Sequence, residues 1–174
     1  LAHGKNHLIR SLHSINIANS IGMEYLRATY QLGLGSFGSE GKTQGLAPYG
    51  SPHFFEKYRK EVAFEDSGTI LLSSALKNMD AYIDGEHYIE DKSLFNDFIS
   101  KTIQRRFDDE EITKNHMDFA ASVQKLLDEV ALHAARALAK QTKAPNLVLT
   151  GGVAQNSTTN GVLLRSGLFE DVYA

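Results

Sequence analysis

Two adjacent glycines near the C-terminal end, Gly151 and Gly152, are the first candidates for chemistry. They follow the stretch 146–150, whose three central residues are apolar, and precede a helix-like stretch, which predicts a strand, a turn and a helix. Because glycine has no Cβ, its backbone N–H can approach a phosphate or ribose closely, and a helix N-terminus attracts anions. The amide of Asn156, in the first turn, can bond a sugar hydroxyl or cap the helix. Spacing alone leaves a nucleotide loop and a ligand-free turn equally open.

A second glycine-rich stretch contains the tripeptide GKT at residues 41–43, which has the form of the end of a phosphate-binding P-loop. The full pattern requires a glycine at the position of Ser36, and Pro48 argues against a helix after the loop. We therefore reject the P-loop. Lys42 and Thr43 are kept as candidates for a loop that faces a phosphate at the cleft, with a solvated turn as the alternative.

Histidines and carboxylates give weaker signals for a metal or catalytic site. His3 and His7 have the i, i+4 spacing of a helical metal pair, but no carboxylate is near, so we expect solvated side chains. The acidic run at residues 108–111 is interpreted as a solvated region before a long helix. No Ser/His/Asp set and no carboxylate pair can be assigned by spacing. The sequence predicts no metal site within this chain.

The composition is that of a folded chain, since 42% of the 174 residues are hydrophobic and 22% are charged. A net charge of −3 gives no reason to expect nucleic acid as a partner. No apolar run approaches the ~20 residues of a membrane span. The absence of cysteine excludes disulfides and thiolate ligands and suits the cytoplasm. Because the chain begins with Leu1 and shows no signal peptide, we expect a piece of a longer protein.

Hydrophobic periodicity predicts an α/β architecture. Four apolar-faced helices are expected, over residues 14–32, 51–62, 91–107 and 113–142. Three short strands are bounded by turn residues, at residues 69–72, 146–150 and 169–174. A further helix is expected at residues 155–164, whereas residues 33–50 are typical of a loop with little regular structure. Thr113 is the expected cap of the longest helix. The element order predicts a mixed or parallel sheet that is covered by helices.

Longer blocks around both glycine stretches resemble one family. The block EGKTQGLAPYG at residues 40–50 closely resembles the EGKTMGLAPYG signature of nodulation-type and antibiotic-tailoring O-carbamoyltransferases. The block NLVLTGGVAQN at residues 146–156 resembles their NLxLAGGVALN signature. DFAASVQ at residues 118–124 looks like their DLAASxQ stretch, and NSIG at residues 19–22 stands where HSLG is usual. All four blocks occur in the order found in the family.

The resemblance implies an actin-like ATPase (ribonuclease H-like) domain, similar to the universal tRNA threonylcarbamoyl-transfer protein. Residues 1–174 would be a single partial domain, the second half of the nucleotide-binding domain. In such enzymes carbamoyl phosphate and ATP give a carbamoyl-adenylate, and the carbamoyl group passes to an acceptor hydroxyl. Five residues are implied to line the nucleotide pocket: Gly22, Gly151, Gly152, Val153 and Asn156.

The resemblance further implies a divalent metal, iron in the first instance, whose ligands belong to other parts of the full-length protein. The expected partners are carbamoyl phosphate, a small molecule that bears a hydroxyl, and the flanking segments of the same protein; a homo-oligomer is left open. Two other classes stay as alternatives, a non-catalytic nucleotide-binding or assembly module and a sugar-kinase-like phosphotransferase. The 40–50 block favours the carbamoyltransferase over the kinase.

Overall fold

A computed structural model describes residues 1–73, 97–107 and 109–174. Within residues 97–100 it describes the backbone of all four residues and, of their side chains, only that of Ile99. Helices and strands alternate irregularly along the chain: β1 Ala2–Lys5, β2 Leu8–Ser11, α1 Ile21–Gln31, α2 Glu40–Leu46, α3 Phe55–Arg59, β3 Val62–Phe64, β4 Ile70–Leu72, α4 Asp97–Thr102, α5 Lys114–Thr142, β5 Asn146–Val148, α6 Ser157–Arg165 and β6 Asp171–Tyr173. Short 3-10 turns cover Ile17–Asn19, Ala47–Tyr49 and Gly152–Gln155.

Helix α5 begins directly after Thr113, as predicted, and is the longest of the described helices. The N–H of Thr113 donates to Nδ1 of His116 at 3.0 Å, which is half of a capping box with histidine in the usual place of glutamate. Burial lowers the pKa of His116 and favours the neutral ring that can accept this bond. Neither α5 nor another helix in the described ranges combines the length and the apolar character needed to cross a bilayer.

Two apolar clusters pack on opposite ends of α5. The larger one joins α1, α3, β3 and β4 to the first half of α5, where the rings of Tyr58 and Phe119 stack at 5.9 Å between centroids. The smaller one packs β5, α6 and the segment before β6 against the second half of α5, through Ala135, Leu147 and Leu163. Helix α5 therefore connects the two clusters.

The described strands form three separate two-stranded ladders. Strands β1 and β2 are antiparallel, as are β3 and β4, whereas β5 and β6 run parallel with Leu147 opposite Val172. The predicted strands are confirmed, and so is the α/β class. Of the predicted mixed or parallel sheet, the parallel pairing is found between β5 and β6, whereas the described strands form no mixed sheet, because each of them pairs with only one neighbour. The actin-like architecture stays a prediction.

Several helix boundaries differ from those that hydrophobic periodicity predicted. The helix expected from residue 14 begins at Ile21, because Asn16 caps the preceding 3-10 turn by accepting the N–H of Ala18 at 2.6 Å. Helix α3 is shorter than expected because the chain enters β3 at Val62. Of the helix expected over residues 91–107, α4 covers Asp97–Thr102, and residues 91–96 lie outside the described residues.

The prediction of an irregular loop over residues 33–50 is wrong for its second half, which forms α2 and a 3-10 turn. Pro48 lies in the first turn of that 3-10 helix, where its missing N–H has no cost. Glycine weakens a helix, but Thr43 offsets this by packing. Thr43 is fully buried, and its hydroxyl lies 2.8 Å from that of Thr29 on α1. Tertiary contacts therefore override the local turn signal.

Candidate functional site

All four sequence blocks meet around the start of α6, the 118–124 block through the bonds between Gln124 and Asn156. Nε2 of Gln44, in the 40–50 block, donates to the hydroxyl of Ser157 at 2.7 Å. A Cβ built on Gly22 would lie 3.2 Å from Cγ2 of Val153, so glycine lets α1 approach the 146–156 block closely. The structure thus brings Gly22 and Val153 together, and Asn156 lies at the start of α6; the binding of a nucleotide by these three residues stays a prediction.

The glycine loop, defined as residues 150–156, presents unused backbone donors. Gly151 has φ +90°, a conformation that favours glycine. Both Gly151 and Gly152 are exposed, and a Cβ on either would meet nothing within 4 Å. Among the described residues, the N–H groups of Gly151, Gly152 and Val153 have no hydrogen-bond acceptor. These three residues begin the 3-10 turn Gly152–Gln155, and successive free backbone N–H groups in such a turn can bind an anion such as a phosphate.

Asn156 caps α6, which is one of the two roles that the sequence left open. Its Oδ1 accepts the N–H of Thr159 at 2.9 Å. Its amide also pairs with that of Gln124 through two bonds, Nδ2 to Oε1 at 3.0 Å and Nε2 to Oδ1 at 3.2 Å. Asn156 is buried, so its side chain supports the glycine loop from beneath. Its implied contact with a nucleotide stays a prediction.

A buried polar network lies beneath the glycine loop, and sequence reasoning did not identify it. The hydroxyl of Tyr25 donates to Oε1 of Gln124 at 2.9 Å, and Nε2 of Gln124 donates to Asp128 at 2.9 Å and to Thr159 at 3.0 Å. The Thr159 hydroxyl donates to Asp128 at 2.6 Å. Burial raises the pKa of Tyr25, so its phenol stays protonated and donates. Burial also raises the pKa of the Asp128 carboxyl.

The two candidates in the 40–50 block, Lys42 and Thr43, have different surroundings. Thr43 is enclosed between α1 and α2, so its hydroxyl faces Thr29 and the solvated-turn alternative is wrong for this residue. Lys42 is exposed, and its Nζ lies 3.8 Å from a Cβ built on Gly35. Lys42 therefore stays the candidate cation of this block, whereas Thr43 supports the packing of α2.

Asp118 fixes the turn that follows the 40–50 block. Its Oδ1 accepts from Nζ of Lys114 at 2.6 Å and from the N–H of Ser51 at 2.7 Å. Its Oδ2 lies 3.0 Å from Nδ1 of His53. The bond from Lys114, followed by that from Ser51, lowers the pKa of the buried Asp118 carboxyl to about 2. The carboxylate that holds this turn is therefore charged near neutral pH.

We expect Asp118→Asn to be less stable than the wild type near neutral pH, with a difference that shrinks in acid. The folded pKa of about 2 lies below the unfolded value of ~3.9, so the contribution is full above about pH 4 and is lost as the pH falls through about 2. Urea unfolding at about pH 7, 4 and 3 measures the difference. Asp66→Asn, at an exposed carboxylate, is the control and should change little. A difference that stays constant down to about pH 3 would contradict the prediction.

The histidine pair considered as a helical metal site lies in a hairpin. His3 is on β1, opposite Arg10, and His7 is in the turn between β1 and β2. The i, i+4 spacing therefore does not stack the two rings on a helix face. Within the described ranges, no three His, Cys, Asp or Glu side chains are grouped so that they could hold a metal ion.

The family model described as the carbamoyltransferase N-terminus matches residues 1–174, which is the whole chain. The chain belongs to the carbamoyltransferase family. This carbamoyltransferase chain is 34% identical over 173 residues to the nodulation protein NolO of Bradyrhizobium diazoefficiens, an overlap of 99% of the chain and 28% of that protein. It is 32% identical over 177 aligned positions to the nodulation protein NolNO of Sinorhizobium fredii, with 99% and 23% covered.

A third relative of the carbamoyltransferase chain is an uncharacterized protein of Synechocystis, which is 32% identical over 160 residues, with 91% of the chain and 25% of that protein covered. The chain thus spans about a quarter of the length of these relatives. The resemblance carried by the 40–50 and 146–156 blocks is confirmed for the family. The placement within the second half of a nucleotide-binding domain stays a prediction.

Proposed function

We propose that the full-length carbamoyltransferase transfers a carbamoyl group from carbamoyl phosphate to the hydroxyl of a small acceptor, with ATP and through a carbamoyl-adenylate. The family match supports carbamoyl transfer. One structural observation supports the nucleotide: the N–H groups of Gly151, Gly152 and Val153, at the start of the 3-10 turn that precedes α6, have no acceptor among the described residues. Aligned backbone donors of this kind stabilise the negative charge of phosphate oxygens. A cytoplasmic location stays a prediction of the sequence.

The proposed reaction has three steps, and in each step one bond to phosphorus or carbon forms while another breaks. Water and carbamoyl phosphate give carbamate and orthophosphate. A carbamate oxygen attacks the α-phosphorus of ATP, pyrophosphate leaves, and the carbamoyl-adenylate forms. The acceptor oxygen then attacks the carbamoyl carbon, the hydroxyl loses its proton, and AMP leaves. In this scheme the N–H groups of the glycine loop hold phosphate oxygens, and Lys42 supplies a cation at the edge of the cleft.

The divalent metal implied by the resemblance does not fit the described part of this chain. His3 and His7 lie on a hairpin, and no third ligand accompanies them among the described residues. A metal site needs several donors that converge on one point. We therefore assign the metal to other parts of the longer protein.

The proposal predicts that the full-length protein releases AMP and pyrophosphate when it is given carbamoyl phosphate and ATP. Gly152→Asp should lower this release by about 100-fold, because a carboxylate beside the free donors repels the phosphates and takes their place. The fold should tolerate the change, since a Cβ on Gly152 meets nothing within 4 Å. Quantification of both products, with circular dichroism of each variant, measures the two effects.

The matched control is Gly4→Asp, which adds the same charge on the hairpin, where a Cβ also meets nothing within 4 Å. This variant should keep the activity of the wild type. A wild type that releases no pyrophosphate, or a folded Gly152→Asp variant with full activity, would refute the proposed function.

A further inference from the structure

The side chain of Gln124 sets the position of the residue that ends the glycine loop. Gln124 is 6% exposed, and its amide forms a reciprocal pair with the amide of Asn156. Both residues are also held by other partners, Gln124 by Tyr25 and Asn156 by the N–H of Thr159. A buried amide pair of this kind has few alternative arrangements, because any rotation leaves a polar group without a partner.

The glycine loop has few other attachments to the protein. Nδ2 of Asn160 donates to the carbonyl of Ala154 at 2.7 Å, and Val153 packs beside Gly22. The outer positions, Gly151 and Gly152, have open space around them. The direction of the free N–H groups therefore depends on how Asn156 and the start of α6 are held from below.

We propose that Gln124 is a positioning residue of the nucleotide site: through Asn156 it orients the glycine loop so that the N–H groups of residues 151–153 converge on the phosphates of ATP. This inference rests on the proposed function, since it names the residue that orders the same loop. Gln124 touches no ligand in this scheme. It acts through α6, and its effect should appear in nucleotide affinity beyond any effect on stability.

The test measures ATP affinity of the full-length protein by isothermal titration calorimetry, beside urea unfolding of each variant. Gln124→Met keeps the size of the side chain and removes its hydrogen bonds, and it should raise the Kd for ATP by about tenfold. The matched control is Ser122→Ala, on the same helix as Gln124, which removes the buried hydroxyl that accepts a hydrogen bond from the N–H of Phe54. That variant should lose stability and keep the Kd of the wild type.

A double variant distinguishes an effect of Gln124 through Asn156 from a general loss of rigidity in the protein. If Gln124 acts through Asn156, the Kd of Gln124→Met with Asn156→Ala should equal that of Asn156→Ala alone. Tyr25→Phe, which removes one bond to Gln124, is the milder variant that decides the question if Gln124→Met does not fold. It should raise the Kd in the same direction.

The failures of the two proposals can be told apart. A wild type that binds no ATP overturns the proposed function and the positioning role with it. A wild type that binds ATP, together with folded variants at Gln124 and Tyr25 that keep its Kd, overturns the positioning role alone. Additive effects of the two substitutions on the Kd would also overturn it.

Discussion

Replacement of Glu24 by alanine is expected to lower the free energy of unfolding by about 3–5 kcal/mol. Glu24 is 2% exposed and lies on α1 within the larger cluster. Its Oε1 accepts from the Tyr58 hydroxyl at 2.6 Å, and its Oε2 accepts from Arg27 at 2.8 Å. Alanine removes the anion and leaves a buried guanidinium without this carboxylate. Loss of one partner of a buried ion pair costs far more than the pair contributes.

The matched control for Glu24 is Glu129, which accepts from Nε of Arg59 at 2.8 Å, with both side chains about one-third exposed. Glu129→Ala should cost less than about 1 kcal/mol, because solvent screens this pair. Urea unfolding of the full-length protein near neutral pH compares the two variants. Equal losses in the free energy of unfolding at the two positions would show that burial does not determine how much these ion pairs contribute to stability.

The second large effect is expected at Gly50, the last residue of the 40–50 block. A Cβ on Gly50 would clash with the carbonyl oxygen and the carbonyl carbon of Met117. These are backbone atoms of α5, so no flexible side chain can move aside. Gly50→Ala should therefore cost about 3 kcal/mol, the upper end of the usual range for overpacking.

Gly45, in the same block, provides a control at which the substitution should change the stability in the opposite direction. It lies within α2, and a Cβ there would meet nothing within 4 Å. Gly45→Ala should stabilise the protein by about 0.5–1 kcal/mol, because alanine loses less backbone freedom than glycine in a helix. Thermal unfolding of both variants measures the contrast. A Gly50→Ala variant as stable as Gly45→Ala would contradict the close packing of this turn on α5.

The elements that were predicted correctly depend on local signals. Helix α5 follows from a long apolar stripe and from Thr113 at its start, and strands β5 and β6 follow from short apolar runs near glycine or proline. Helix α2 was missed because glycine and Pro48 dominate its local signal, while the burial of Thr43 against Thr29 is a tertiary fact. Strand pairing is also non-local, so three ladders could not be distinguished from one sheet.

The residues of the candidate site likewise divide into those that local signals predicted and those that depend on tertiary contacts. Gly151 and Gly152 were identified by local spacing and by family resemblance. The role of Asn156 as a cap was one of two open alternatives, and its partner Gln124 lies 32 residues away in sequence. Two signals for Gln124 were present: it ends the 118–124 block that resembles the family, and it is a polar residue between Val123 and Leu126 in an apolar stripe. Its partners could not be read from those signals, because they belong to other helices.

The hydrogen bonds that hold the site also have a consequence for the order of folding. The bond between Tyr25 and Gln124 closes 99 residues of chain, and that between Ser51 and Asp118 closes 67. Loop closure loses entropy before such contacts stabilise the chain, so long-range closures form late. During synthesis the bond between Ser51 and Asp118 can therefore form only after the start of α5 has left the ribosome. The bond between Gln124 and Asn156 closes 32 residues, so we expect the candidate glycine loop to become ordered only after α5 and the start of α6 have both formed.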